Sequence, residues 1–158
     1  MEMSINEAIM RYNLLTPLKY KDGDYSLSRD LKIRLIKLKI ELDKVFNDFN
    51  AYQEKCIEAV KTDEYNKLIE IPENDRTKEQ NEKLDEIVRN LNDEMNELLS
   101  KKSQEMIQVN AFDYLSEDEF EQVLEVNVDN EVTINGNTID GATYISLLHQ
   151  GFTKPVEE

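Results

Sequence analysis

The longest helical pattern in the chain is LKIRLIKLKIELDKVFNDFNAYQEKCIEA, residues 31–59. Its apolar or weakly polar side chains recur at alternating steps of four and three residues: Leu31, Leu35, Leu38, Leu42, Val45, Phe49, Tyr52, Cys56 and Ala59. A period of 3.5 residues keeps one face of a helix turned toward a partner along its whole length. The pattern therefore predicts a long helix that packs lengthwise against another element.

A second stripe later in the chain offers this helix a partner. Its members again step by four and three: Leu84, Val88, Leu91, Met95 and Leu98. Thr77 and Gln80 have the spacing of a capping box that begins this second helix. Residues 62–76 read as a connector with one helical turn. Two such helices joined by a short connector fold most simply into an antiparallel pair, so we expect a mainly α protein built on a long antiparallel helical hairpin.

The segments on either side of the hairpin are shorter. A capping box at residues 4–7 predicts a short N-terminal helix, and residues 17–27 alternate around Asp22-Gly23 as an extended arm or a small hairpin. Residues 104–158 combine strand-like runs, a hairpin signal at Asn135-Gly136 and two capped helices. The expected organisation is an N-terminal helix and arm (1–27), the helical hairpin (28–103) and a small acidic α+β module (104–158).

Charge is unevenly distributed along the chain. The net charge is −15, with nine Lys/Arg against seven Asp/Glu in residues 1–44 and ten against twenty-seven in residues 45–158. Such a chain repels anionic membranes and nucleic acid, so no membrane partner is expected and direct nucleic-acid binding is disfavoured. The exception is a run of five cations that could meet phosphates, although such a run is more often the solvated flank of an amphipathic helix or meets an acidic protein surface: Arg29, Lys32, Arg34, Lys37 and Lys39.

Residues that carry chemistry are scarce. Cys56 is the only cysteine and His149 the only histidine, which supports neither a zinc site nor a Ser-His-Asp triad. No glycine-rich phosphate loop is present. We expect a non-enzymatic protein with no catalytic residues, no cofactor and no metal. The chain has no apolar run of membrane-spanning length and no signal-peptide pattern at its start, so we expect a protein made in a cytoplasm.

Exposed apolar side chains are the better functional candidates. Tyr20 and Tyr25 lie on the polar arm, where tyrosines either clamp a neighbouring subunit or cover the base of the hairpin. The long helix also carries a second apolar row beside its stripe, so it should pack against more than one neighbour. The candidate protein-interaction residues are Tyr20, Tyr25, Ile33, Ile40 and Phe46, with Arg34 and Lys37 as flanking cations.

Several stretches resemble a group of small tailed-bacteriophage structural or assembly proteins. They are Tyr12-Asn13-Leu14-Leu15, Leu18-Lys19-Tyr20, Ser28-Arg29-Asp30-Leu31, Lys37-Leu38-Lys39-Ile40-Glu41-Leu42, Asn96-Glu97-Leu98-Leu99, and the strands at Val109 and residues 132–139. The resemblance implies a virion or assembly component (ring, connector, tail or capsid accessory) made in the host cytoplasm. Its expected partners are itself, as a homo-oligomer, and other phage structural proteins. No catalytic residue follows from the resemblance.

The sequence also fits two other functions. An acidic inhibitor or decoy could bind the basic surface of a nucleic-acid enzyme, which requires the acids of residues 45–158 to form one continuous face. A helical adaptor in a cell fits the same composition.

Overall fold

The computed structural model describes residues 1–156. Helices account for 66% of these residues, which confirms the predicted mainly α fold. The α-helices are α1 (Ile5–Leu15), α2 (Arg29–Val60), α3 (Asp63–Glu70), α4 (Lys78–Ser103), α5 (Glu117–Asn127) and α6 (Gly141–Phe152). The strands are β1 (Glu2–Ser4), β2 (Lys21–Asp22), β3 (Tyr25–Ser26), β4 (Met106–Gln108), β5 (Val132–Ile134) and β6 (Asn137–Ile139).

Capping side chains begin the helices where the sequence predicts. Thr77 and Ser116 each form a complete capping box, with Gln80 and Glu119 as the reciprocal partners. Asp140 accepts a hydrogen bond from the Thr143 N–H at 2.8 Å and so begins α6. Each cap satisfies backbone donors that have no partner within their own helix.

The connector after α2 is more helical than one turn. Thr62 caps α3 by accepting a hydrogen bond from the Tyr65 N–H at 3.1 Å, and the helix then runs for eight residues. A short 3₁₀ helix follows at Glu73–Asp75. The prediction was too short because it did not use Thr62 as a helix cap.

The six strands described form three antiparallel pairs. β5 and β6 turn at Asn135-Gly136, whose φ angles of 52° and 79° are those that favour this dipeptide in a tight hairpin. β2 and β3 form a hairpin of two residue pairs. β1 pairs with β4 across the length of the chain, with Met3 opposite Ile107.

The chain divides into two units. The first, here called the core unit, contains Met1–Phe46 and the chain from Met106 onward. The second, the hairpin unit, is Asn47–Glu105. The helix α2 contributes residues to both.

The core unit buries the first half of the long apolar stripe. Leu31, Leu35, Leu38 and Leu42 are all buried in one hydrophobic cluster. The cluster draws on both ends of the chain and includes Met3, Ala8, Leu14, Leu15, Val109, Phe112, Leu115, Val123, Val126, Tyr144, Leu148 and Phe152. The sequence offers α4 as a partner of this stripe and predicts more than one neighbour for the helix; the leucines of residues 31–42 pack against these segments.

In the hairpin unit, the end of α2 runs antiparallel to α4. Lys102 lies 5.1 Å from the centre of the Tyr52 ring, whereas Val60 lines a cavity together with Val88. Among residues 47–105, all of which the structure describes, only Cys56 and Val60 are buried. The unit therefore has a helical hairpin but only a thin core.

Buried polar side chains join distant segments of the core unit. The Asn127 side chain accepts a hydrogen bond from the Lys19 N–H at 2.9 Å and donates to the Lys19 carbonyl at 3.0 Å. The Arg11 Nε donates to the Gly151 carbonyl at 2.8 Å, and its guanidinium lies 4.7 Å from the centre of the Phe112 ring. These bonds fix the chain after α1 to α5, and α1 to the end of α6.

Candidate functional site

The outward side of α2 carries a row of exposed isoleucines. Ile33, Ile36 and Ile40 are 39%, 38% and 67% exposed. Their spacing of three and four residues places them on one helix face, opposite the buried leucines of the same helix. The row is therefore a partly exposed apolar strip about two turns long.

Cations flank this row. Arg29, Lys32, Lys37 and Lys44 are exposed on the same side of α2, and none of them forms an ion pair with another residue in the described range 1–156. Asp30, at the start of α2, is also exposed. We call the three isoleucines and four cations the α2 outer face; it is both apolar and positively charged.

A groove of about 380 Å³ opens beside this face. It is lined by Ile36 and Ile40 together with Tyr20, Lys39 and Asp43. Tyr20 packs against the core, and its burial raises the pKa of the phenol. The groove therefore has a tyrosine ring on one side and the end of the isoleucine row on the other.

Two predicted interaction residues are engaged within the core unit. Arg34 forms an ion pair with Glu119, and it also donates to the Asp113 and Tyr114 carbonyls. Phe46 stacks on Tyr12 at 4.7 Å between ring centres. The Tyr12 hydroxyl donates to Asp43 at 2.8 Å, which raises the pKa of Tyr12. Arg34 and Phe46 thus lie on the flanks of α2 that face its own core.

The two arm tyrosines have different surroundings. The arm is a small hairpin, held by the buried Leu27 and by the Ser28 N–H, which donates to the Gln122 side chain at 2.7 Å. Tyr20 lies at its base, and Tyr25 is 58% exposed near its turn. Of the predicted residues, Ile33, Ile40 and Lys37 lie together on the α2 outer face and Tyr25 is exposed on the arm.

A second exposed apolar surface lies on α5, and the sequence reasoning missed it. Leu124 and Val128 are 36% and 46% exposed. Glu117, Glu121 and Glu125 are exposed beside them. Positions 117, 121, 124 and 128 step by four, three and four, so helical periodicity alone could have revealed this face. We call these five residues the α5 outer face.

Side chains suited to chemistry are not grouped on either surface. Within residues 1–156, no three His, Cys, Asp or Glu side chains come together as metal ligands. In the same range no helix combines the length and the apolar character needed to cross a membrane. His149 lies in the last turn of α6. Its ring and that of Phe120 form a T-shaped contact with 5.0 Å between the ring centres.

A further groove of about 450 Å³ lies in the core unit and is uncharged. Its polar lining comes from amide side chains, and its apolar lining from α1, α6 and β5: Asn6, Asn13, Asn135 and Gln150, with Ile9, Met10, Leu14, Ile134, Leu147 and Gly151. Amides donate and accept hydrogen bonds but do not transfer protons at neutral pH. The groove suits binding better than acid–base catalysis.

Comparison with known proteins assigns no family to the chain. No family model, no curated protein and no solved structure matches it.

Proposed function

We propose that this protein is a non-enzymatic component of a bacteriophage particle or of its assembly, and that it acts through protein–protein contacts. The observation that carries the proposal is the row of exposed isoleucines, Ile33, Ile36 and Ile40, on the α2 outer face. The resemblance of several stretches to tailed-phage structural proteins supports the setting.

The physical reason is the cost of leaving such a row in water. Burying apolar surface stabilises by about 25 cal/mol per Å², and contiguous exposed apolar surface is often a binding site. The flanking cations favour an acidic partner, because charges at the rim of an interface guide association and exclude partners of like charge. Tyr25 would extend the contact from the arm, since tyrosine buries a large area at low entropy cost.

The hairpin unit supports the same proposal. The second apolar stripe, on α4, has no fully buried residue. A cavity of about 260 Å³ lies between the helices of this unit, lined by Ile57, Val60, Lys61, Tyr65, Val88, Leu91, Asn92 and Met95. The apolar stripe of α4 is only partly covered by its own chain, so another protein could bury more of it on assembly.

The proposal is tested in particles. Virions purified through a density gradient are analysed by quantitative mass spectrometry, and the free protein is analysed by sedimentation at high concentration. We expect the protein in the particle fraction or as self-associated species. Absence from both virions and assembly intermediates, together with a strict monomer in solution, would overturn the proposal.

One observation favours the acidic inhibitor as a second candidate. Residues 104–153 hold ten Asp/Glu and no Lys or Arg. The acids of residues 47–105 are instead mixed with nine cations and form helical ion pairs such as Glu97–Lys101 at 3.3 Å. An inhibitor would therefore act through the α5 outer face. Inhibition of a host nucleic-acid enzyme that Glu121→Gln and Glu125→Gln relieve would favour this candidate.

A further inference from the structure

We propose that the α2 outer face binds the α5 outer face of a second copy of this chain. The inference rests on the proposed function, because it names the partner of the contact surface described above. Each face is an exposed apolar strip on a helix, and the two carry opposite charge.

The charges decide which faces can pair. Arg29, Lys32, Lys37 and Lys44 surround the isoleucines, whereas Glu117, Glu121 and Glu125 surround Leu124 and Val128. None of these seven charged side chains has an ion-pair partner among residues 1–156. Pairing two α2 faces would oppose like charges, and so would pairing two α5 faces. Pairing one with the other brings the four cations of α2 opposite the three glutamates of α5, so opposite charges meet.

The apolar spacing also agrees between the two faces. Ile33 and Ile40 are seven residues apart, which is about 10 Å along a helix, and Leu124 and Val128 are about 6 Å apart. Leu124 and Val128, the C-cap residue of α5, can therefore lie within the row of three on α2. Side chains at steps of three and four are the ones that interdigitate when helices pack.

The expected contact is small. Two helix faces of about three turns bury less than the 1,200–2,000 Å² typical of stable interfaces. We therefore expect an association that depends on concentration. Added salt should weaken it, because exposed charges are screened over about 10 Å at 0.1 M ionic strength.

The contact joins two different surfaces, so it does not close on itself in a dimer. Every copy has one α2 outer face and one α5 outer face to offer. Such head-to-tail contacts produce rings if the rotation closes and filaments if it does not.

A mixing experiment tests the pairing. Ile40→Asp disables the α2 outer face, and the double variant Leu124→Ser/Val128→Ser disables the α5 outer face. The altered side chains are partly exposed, and far-UV circular dichroism verifies that each variant folds. By analytical ultracentrifugation we expect concentration-dependent oligomers of the wild type, and a self-association of each variant that is weaker by roughly tenfold or more. An equimolar mixture of the variants keeps one intact pair of faces and should form a dimer that grows no further.

Ile69→Ser is the matched control, since Ile69 is similarly exposed, at 49%, but lies on α3, outside both faces and the α4 seam. It should assemble as the wild type does. If the two face variants also assemble as the wild type does, or if their mixture stays monomeric, the pairing is wrong. A wild type that is monomeric at every concentration would overturn the inference. Presence in virions would then still support the proposed function, with another phage protein as the partner.

Discussion

The two units use the same long helix in different ways. In the core unit, the leucines of residues 31–42 on α2 are fully buried among side chains from both ends of the chain. In the hairpin unit, Phe49 and Tyr52 are half-buried and Ala59 is exposed, although they continue the same stripe. One heptad pattern therefore leads to a dense core in one unit and a thin seam in the other.

The difference shows that a periodic stripe specifies a helix but not how completely it is buried. A residue in a full core contacts many neighbours, whereas α4 packs without a buried residue. Regions with few buried apolar contacts open at low free energy. We therefore expect the core unit to hold the stability of the protein and the hairpin unit to be the more adaptable part.

The largest effect should come from a charge placed in the buried stripe of the core unit, and the same change in the hairpin unit is the comparison. Leu38→Asp puts an unpaired carboxylate in the core and should destabilise by about 4 kcal/mol or more. Leu91→Asp, in the half-buried seam of α4, should cost about 1 kcal/mol. Urea unfolding followed by near-UV tyrosine dichroism measures the core unit best, since five of the seven tyrosines lie there. If Leu38→Asp and Leu91→Asp lowered the urea midpoint equally, the claim that the core unit is the more tightly packed of the two would be wrong.

A smaller effect should come from the buried amide that joins α5 to the chain after α1. Asn127→Ala leaves the Lys19 N–H and carbonyl without their partner and should cost roughly 2–4 kcal/mol. The matched control is Asn96→Ala on α4, where the side chain is exposed and the change should be within about 0.5 kcal/mol. A stability for Asn127→Ala equal to that of the control would show that this hydrogen-bonded junction is not needed.

The smallest effect concerns the cap of α6. The Thr143 N–H donates to the Asp140 carboxylate, and this lowers the pKa of Asp140. The charged form is thus favoured in the folded state. The contribution of this ionised cap to the free energy of unfolding is fully present above the pKa of an unfolded aspartate, about 3.9. It is lost as the pH falls through the lower pKa of the folded state.

The difference in melting temperature between the wild type and Asp140→Ala should accordingly be constant near neutral pH and shrink toward pH 2. Asp129→Ala removes an exposed carboxylate that caps no helix and serves as the control. A difference that does not change with pH would mean that the ionised carboxylate is not what caps α6.

The local features of this fold could be predicted from the sequence because their causes are local. The caps Thr77, Ser116 and Asp140 and the turn at Asn135-Gly136 depend on residues within four positions of each other. The helix α2 also follows from its period.

Features that depend on distant residues could not be predicted. The strand β1 is three residues long and has no periodic signal, so nothing local indicates its pairing with β4. In the sequence, nothing distinguishes Asn127 from an exposed polar residue, because its hydrogen-bond partner Lys19 is 108 positions away. For the candidate site, Ile33 and Ile40 followed from periodicity, whereas Arg34 and Phe46 are engaged within the core unit.

The most direct test of the contrast between the units is native-state hydrogen exchange, measured at a concentration low enough to keep the protein monomeric. We predict that the amides of α4 exchange through local opening at a free energy well below that of the slowest amides in α1, α5 and α6. If the α4 amides are instead as protected as those of α6, the hairpin unit shares the stability of the core, and the contrast between the two units is wrong.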